Sequence, residues 1–191
     1  MAIKILDNCC SSAYLDCLKH VASTSESWNL KYPFGKEISI EDKFLKLNII
    51  DDTGVKHPFL AGLAMGLLLQ IHEAGGKGLF IPEIYWCGIS IKDKHRLDNI
   101  HIDTKEDENF VKILGIINSD WEEKWGGGFF HNGTSNYIKP TSFCIFDPSE
   151  NHAAEEIFTD KKRFAIDFTV FRYQQSLKKF MEKRGNQFNY Q

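Results

Sequence analysis

The segment from His101 to Trp121 has the sequence HIDTKEDENFVKILGIINSDW. It is the most informative part of the chain about the fold. Its second half, Val111 to Asn118, is nearly all apolar and of strand length, as expected for a strand buried on both faces. Its first three residues place a histidine two positions before an aspartate. Because alternate residues of an extended segment point to the same side, His101 and Asp103 should face one point. A metal that takes nitrogen and oxygen ligands could bind there.

Further strand-like segments lie on both sides of this stretch. They are rich in β-branched and aromatic residues, and turn residues separate them. Short strands with this spacing indicate a sandwich or a barrel. The predicted strands besides Val111 to Asn118 are Phe80 to Ile91, Thr141 to Phe146 and Phe164 to Phe171.

Helices are predicted before and after the strands. Ser11 or Ser12 can cap a first helix. A second helix begins near Pro58 and ends at about Ala74, before two glycines, and its almost continuous apolar surface should lie buried against a sheet. A last helix runs from Tyr173 to Arg184. The 191 residues are therefore predicted to form one domain, with a helical support segment (1–78), a β core (79–172) and a C-terminal helix (173–191).

Two residues downstream of Asp103 complete a candidate site. His152 lies at the edge of a loop that follows the predicted strand ending at Phe146, and Arg163 opens the last strand. A guanidinium at the start of an apolar strand faces either solvent or an anion, because a buried guanidinium needs a partner. Two histidines and one carboxylate can occupy one face of an iron(II) ion and leave three positions open. An arginine nearby can hold the distal carboxylate of 2-oxoglutarate.

Five motifs follow one another along the second half of the chain. They are His101-Ile-Asp103-Thr104, Leu114-Gly-Ile-Ile-Asn118-Ser-Asp-Trp121, Trp125-Gly126-Gly127-Gly128, His152 and Arg163-Phe-Ala-Ile. With these motifs, the chain from about Trp86 to Phe171 resembles the prolyl-4-hydroxylase-like 2-oxoglutarate/iron(II) dioxygenases, especially their compact bacterial and phage versions. The combination is far more specific than any one motif.

This resemblance implies a fold and a set of roles. The expected fold is α+β and mainly β: a double-stranded β-helix (a cupin-like jelly roll) with flanking N-terminal helices and a C-terminal helix. His101, Asp103 and His152 would be the catalytic iron ligands, and Arg163 would bind 2-oxoglutarate. The implied cofactors are Fe(2+), 2-oxoglutarate as cosubstrate and O2, and ascorbate is a further candidate. The implied activity is prolyl 4-hydroxylation of a peptide or protein, although small molecules are also within reach of such a scaffold.

The chain departs from the family pattern at the second cosubstrate contact. Ile116 occupies the position where the family often has a tyrosine that helps to bind 2-oxoglutarate. Tyr85 is the candidate for another aromatic residue that commonly lies on the strand before the first histidine. Gly126 to Gly128 are expected to serve a close turn of the chain rather than catalysis.

The composition of the chain indicates which partners and which cell compartment to expect. A formal net charge of -3 gives no basic excess, so no nucleic acid is expected as a partner. The longest apolar stretch, Leu60 to Ile71, is interrupted by glycines and too short to span a bilayer. Five cysteines without a CxxC pair and no apolar leader at the N-terminus indicate reduced thiols and a cytoplasmic protein. The sequence does not indicate an oligomeric state.

Two alternatives use the same three ligands. One is a cupin-like metal- or ligand-binding module that has kept the barrel and lost catalysis. The other is a zinc hydrolase in which a metal-bound water is the nucleophile. Consumption of 2-oxoglutarate separates the first alternative from a dioxygenase. Metal content together with 2-oxoglutarate binding separates the second.

Overall fold

Two antiparallel sheets and three α-helices form the part of the chain that the structure describes. The structure is a computed structural model that describes residues 2–31, 44–94, 98–104 and 109–188. In these residues the elements in chain order are β1 (Lys4–Leu6), α1 (Ser12–Ser23), β2 (Asn29–Lys31), β3 (Phe44–Asp51), β4 (Gly54–Val55), α2 (Pro58–Ile71), β5 (Ile84–Lys92), β6 (Phe110–Ile116), β7 (Phe129–His131), β8 (Thr134–Asn136), β9 (Phe143–Phe146), β10 (His152–Ala154), β11 (Arg163–Phe171) and α3 (Gln174–Phe188).

The strands of the described residues pair as in a jelly roll. The large sheet has the order β1-β9-β6-β11-β5-β3-β2, with β4 paired to β3, and the small sheet has the order β10-β7-β8. A single antiparallel bridge joins His101 to His152 at the edge of the small sheet. The mainly β fold with flanking helices that the sequence predicted is therefore confirmed.

The central strand β11 shows how the large sheet divides the molecule. Ile166, Phe168 and Val170 point to one face and belong to a core that also contains residues of α1 and α2. Arg163 and Asp167 alternate with them and therefore point to the other face. Phe129 of the small sheet packs against Phe146 of β9, with ring centroids 4.8 Å apart. The second face of the large sheet is thus turned toward the small sheet.

The helix α2 is apolar on nearly all sides. Its buried residues, Leu60, Ala64, Leu67, Leu68 and Ile71, belong to the main core. It continues into a π-helical turn (His72–Gly76), in which Gly75 has a φ of 142°. By length and composition alone, the whole segment Pro58–Gly76 could cross a membrane. In this fold its buried residues pack into the main core together with residues of the large sheet.

The prediction that residues 1–78 form a helical support segment is corrected by the structure. Both predicted helices are present, but β1 to β4 also lie in this segment, and β3 pairs with β5 along most of its length. The cause is a period of two in β3, where Leu47 and Ile49 are buried and Lys46 and Asn48 are half-buried. Residues 32–43 of the predicted segment lie outside the described residues.

The predicted strands are in place, with shifted ends. β5 begins at Ile84 rather than Phe80. Pro82 cannot donate a hydrogen bond to a ladder, which keeps the preceding residues out of the sheet. Phe80 is instead buried in the core beside the helices. The C-terminal helix begins one residue later than predicted, at Gln174, and residues 189–191 lie outside the described residues.

Candidate active site

Backbone hydrogen bonds bring the two predicted histidine ligands side by side. The His101 amide donates to the His152 carbonyl oxygen (3.0 Å), and the His152 amide donates to the His101 carbonyl oxygen (2.9 Å). Their ring centroids lie 4.5 Å apart. The Asp103 amide donates to the carbonyl oxygen of Pro148 (2.9 Å), which holds the second half of the His-x-Asp segment against the same loop.

The side chains of these three residues converge. One potential ligand atom from each of His101, Asp103 and His152 lies within 4.8 Å of the other two, and among the described residues this is the one group of its kind. Nε2 of His101 lies 3.7 Å from Oδ1 of Asp103, and Nε2 of His152 lies 3.5 Å from Oδ2. The sequence-based expectation that the three residues lie together thus agrees with the structure.

Hydrogen bonds on the far side of each ring fix its orientation. Nδ1 of His101 lies 2.9 Å from the carbonyl oxygen of Asn99, and Nδ1 of His152 lies 2.8 Å from that of Glu150. A carbonyl oxygen can only accept, so each Nδ1 carries a proton. In the neutral form of each imidazole, Nε2 then has the lone pair. This arrangement is the one that metal-binding histidines use, with the outer nitrogen donating to a backbone carbonyl.

The Asp103 carboxylate is held ionised by its surroundings. Burial raises the pKa of Asp103, but the neighbouring His152 imidazole and the positive charge of Lys112 lower it by more. The net result is a pKa well below the ordinary value for an aspartate. The carboxylate is therefore available as a negatively charged ligand throughout the neutral range.

Lys112 is a site residue that the sequence interpretation missed. Its ammonium lies 3.3 Å from Oδ2 of Asp103 and 2.7 Å from Oδ2 of Asp167. Burial lowers the pKa of Lys112, but the two carboxylates outweigh it and raise the pKa above the ordinary value. A signal was present, because Lys112 is the one charged residue in the otherwise apolar run from Val111 to Ile117.

Arg163 is buried, with an exposed fraction of 4%. Its Nη1 donates a short hydrogen bond to the carbonyl oxygen of Gly127. Its Nε has no hydrogen-bond partner in the described part of the chain. Burial lowers the pKa of Arg163 to about 10, against the opposing charges of Asp98 and Glu155. The guanidinium thus stays charged at neutral pH and has a donor to spare.

Asn118 fixes the backbone on both sides of Arg163. Its Oδ1 accepts a hydrogen bond from the Phe164 amide (2.6 Å), and its Nδ2 donates to the carbonyl oxygen of Lys162 (3.1 Å). Asn118 is itself buried. The asparagine at the end of the Leu114 to Asn118 motif therefore has a structural task, which is to hold the start of β11 in place.

The glycines before β7 allow a close approach to Arg163. Gly126 and Gly127 both have a φ of 71°, which favours glycine. A Cβ atom on Gly127 would lie 3.1 Å from both Cδ and Nη1 of Arg163. Nε1 of Trp121 donates to the Gly126 carbonyl oxygen (3.0 Å) and supports the turn from the other side. The expectation of a structural role for these glycines agrees with this geometry.

The structure does not support Tyr85 as a cosubstrate contact. Its ring packs against Phe110, Phe171 and Phe180, with centroids 4.7, 6.2 and 5.4 Å away. Phe171 ends β11 whereas Arg163 begins it, which separates their Cα atoms by about 26 Å at ~3.3 Å per residue. The prediction is therefore corrected: Tyr85 belongs to an aromatic cluster beneath α3.

Ile116 does not make the second contact to 2-oxoglutarate that a tyrosine often makes at this position in the family. It packs with Trp121 and Ile157 in a small apolar cluster and offers no polar atom. Ile116 pairs in register with Ala165, two residues after Arg163. The wall next to Arg163 is therefore apolar where the family often has a tyrosine.

A cleft of about 550 Å³ opens next to this region. Its walls include Ile100 and Ala153, which are the chain neighbours of His101 and His152, and also Gly127, which covers Arg163. Phe158 lies at the cleft with 70% of its surface exposed. None of the four candidate site residues lines the cleft. Because alternate residues of an extended segment point to opposite sides, the side chains of Ile100 and Ala153 face away from those of the two histidines. The cleft therefore lies next to the site without opening onto its ligands.

Comparison with known proteins gave matches in structure only. No protein-family model matches the sequence, and no curated protein matches it. The fold is similar to that of a viral collagen prolyl hydroxylase from Paramecium bursaria Chlorella virus-1 in complex with 2-oxoglutarate. The TM-score is 0.61 at 8% identity, over 91% of this chain and 97% of that one.

Two further solved structures show the range of similar proteins. A prolyl hydroxylase from Trichoplax adhaerens, in complex with a hypoxia inducible factor peptide fragment, has a TM-score of 0.60 at 16% identity, over 89% of this chain and 83% of that one. HygX from Streptomyces hygroscopicus, with nickel, 2-oxoglutarate and hygromycin B bound, has a TM-score of 0.61 at 10% identity, over 90% and 83%. The chain thus has the jelly-roll fold of the 2-oxoglutarate/Fe(II) oxygenases, in line with the resemblance seen in its motifs.

The packing of Gly127 on Arg163 makes a prediction about stability. Gly127→Ala and Gly133→Ala both place a side chain at positive φ, at a cost of about 1–2 kcal/mol each. Only the methyl group at residue 127 meets a neighbour, because the space around Gly133 is open. Gly127→Ala should lose a further 1–3 kcal/mol or so, since it displaces a buried hydrogen-bonded guanidinium. Chemical denaturation measures both variants, and equal losses would contradict the described packing.

Proposed function

We propose that this protein is an Fe(II)- and 2-oxoglutarate-dependent dioxygenase that hydroxylates an unactivated carbon and releases succinate and CO2. The observation that carries the proposal is the convergence of two imidazole Nε2 atoms and one carboxylate within 4.8 Å. The fold adds support, because the solved structures that it resembles are 2-oxoglutarate/Fe(II) oxygenases.

The three side chains fit iron(II) in their donor chemistry. Two neutral imidazoles and one carboxylate form a set that non-haem iron accepts on one face, leaving other positions open. In the neutral imidazoles, each Nε2 can present its lone pair to a metal because each Nδ1 donates its proton to a backbone carbonyl. The low pKa of Asp103 removes the need to displace a proton when the metal binds.

Arg163 fits the distal carboxylate of 2-oxoglutarate. A buried guanidinium with an unpartnered Nε is costly unless an anion completes its hydrogen bonding. The Gly127 carbonyl already accepts from Nη1, so Nε would be the donor that remains for an anion. Asn118 holds the backbone of the strand so that the guanidinium does not have to reorganise on binding.

The bound metal would supply the activation of dioxygen and the oxidative decarboxylation of the cosubstrate. The protein's own residues bind, orient and shield. His101, Asp103 and His152 would hold the metal, and Arg163 would set the direction of the cosubstrate. Phe129 and Phe146 line His152, with ring centroids 5.9 and 4.9 Å away, and limit the access of water.

The substrate that we propose is a prolyl residue in a peptide or protein. The support is the sequence resemblance to prolyl-4-hydroxylase-like proteins together with the similar folds of two prolyl hydroxylases. A small-molecule substrate is the alternative, since HygX has a similar fold with hygromycin B bound.

The alternatives to a dioxygenase explain less of the site. A zinc hydrolase would use His101, Asp103 and His152 and would leave the buried donor of Arg163 without a purpose. A cupin-like binding module would use all four residues but would not convert 2-oxoglutarate. The two measurements below separate these functions.

Anaerobic titration of the apoprotein with Fe(II) and 2-oxoglutarate tests the cofactor chemistry. We expect the weak visible charge-transfer band of the chelate to appear. The band should be lost in His101→Ala, which removes a ligand, and weakened in Arg163→Ala, which removes the partner of the distal carboxylate. His20→Ala is the matched control, because His20 is exposed on α1. A folded protein that gives no band would favour the hydrolase or the binding module.

Turnover separates an enzyme from a binding module. In air, with Fe(II) and 2-oxoglutarate, the protein should release succinate even without a substrate, although slowly. His152→Ala should abolish this release because the metal loses one of three ligands, whereas His20→Ala should not change it. Succinate measured by mass spectrometry decides the matter, and substantial turnover in His152→Ala would exclude the assigned ligand set.

A further inference from the structure

A buried ion pair lies directly behind the candidate metal ligand Asp103. The Lys112 ammonium donates to Asp167 at 2.7 Å and lies 3.3 Å from Oδ2 of Asp103. Lys112 has an exposed fraction of 8%. Its position is fixed from a third side, because the ammonium lies 5.1 Å from the centroid of the Trp86 ring.

Such an arrangement needs an explanation. Removing a lysine from water costs several kcal/mol or so, and a buried ion pair is often no more stable than an apolar pair of the same shape. The strand β6 is otherwise apolar, so an apolar residue at position 112 would suit the fold. The ammonium is therefore better explained by what it contacts, which is the carboxylate of Asp103.

We propose that Lys112 is a positioning residue for the metal ligand Asp103, with Asp167 as the residue that holds Lys112 in place. The ammonium fixes the rotation of the Asp103 carboxylate, so that one oxygen stays near His152 and the other near His101. This inference rests on the proposed function, since it takes Asp103 to be a ligand. It assigns to Lys112 and Asp167 a task that the motifs of the chain did not indicate.

The geometry supports positioning over a simple effect of charge. The Lys112 ammonium and Nε2 of His152 lie 3.3 and 3.5 Å from Oδ2 of Asp103, while Nε2 of His101 lies 3.7 Å from Oδ1. Without Lys112 the carboxylate would lose its charge-assisted hydrogen bond and could rotate away from the histidines. Partners of this kind behind a metal ligand typically change metal affinity by about 10–100-fold.

The two explanations predict opposite results. If Lys112 acted only as a positive charge near the metal, its removal would tighten the binding of a cation. If it positions Asp103, its removal weakens that binding. The double variant Lys112→Met with Asp167→Asn removes one positive and one negative charge together. It therefore leaves the net charge of the site unchanged and isolates the positioning effect.

The experiment is a titration of the apoprotein with Mn(II), followed by the electron paramagnetic resonance signal of the free ion. We expect the double variant to bind Mn(II) about 10–100-fold more weakly than the wild type. Lys46→Met is the matched control, because the Lys46 ammonium also lies over the Trp86 ring, at 4.1 Å from its centroid. This control should bind Mn(II) as the wild type does.

A second readout guards against a variant that is merely misfolded. Circular dichroism should show the double variant folded, since a neutral pair replaces a buried ion pair of similar size. In the single variant Lys112→Met, the charge-transfer band with Fe(II) and 2-oxoglutarate should be weaker than in Lys46→Met, because a carboxylate that is no longer held in place binds the metal less well.

The outcomes distinguish this inference from the proposed function. Mn(II) affinity in the folded double variant equal to or tighter than that of the wild type would overturn the role of Lys112, whatever the function of the protein. If the wild type does not bind Mn(II), or if His101→Ala binds it equally well, the metal site itself is wrong. Weak binding in the double variant, with Lys46→Met and wild type alike, supports the inference.

Discussion

The fold and the site both depend on one backbone bridge, the pair of hydrogen bonds between His101 and His152. These residues are 51 positions apart in the chain, and the bridge joins them at the edge of the small sheet. Because the two amides and two carbonyls pair directly, the side chains must leave the backbone side by side. The carbonyls of Asn99 and Glu150 then turn both rings so that each Nε2 faces Asp103.

Charged side chains lie along the inner face of the large sheet, which is the face turned toward the small sheet. Arg163 begins β11, and Asp167 follows it four residues later on the same face, where it holds Lys112. The core on the other face is apolar and carries the stability of the domain. Because the apolar core lies on the opposite face, the inner face can hold buried charged groups. Burying such groups has a free-energy cost that a protein without a separate core could not easily offset.

The sequence predicted the parts of the structure that follow from local patterns. His101 and Asp103 converge because alternate residues share a face, and β11 and α2 follow from their apolar patterns. Other features depend on contacts that the local pattern does not contain. Tyr85 had an aromatic side chain of the right kind, but its position near the end of β11 was set by strand register. Lys112 became a site residue only because β6 lies beside β11, which brings Asp167 within reach.

The proposed metal and cosubstrate site is tested most directly by the position of a metal and of 2-oxoglutarate in crystals grown without oxygen. With Mn(II) and 2-oxoglutarate, anomalous diffraction should place one metal between Nε2 of His101, Nε2 of His152 and the Asp103 carboxylate. The distal carboxylate of 2-oxoglutarate should contact Arg163. A metal bound at another group of side chains, or a cosubstrate whose distal carboxylate lies away from Arg163, would contradict the account.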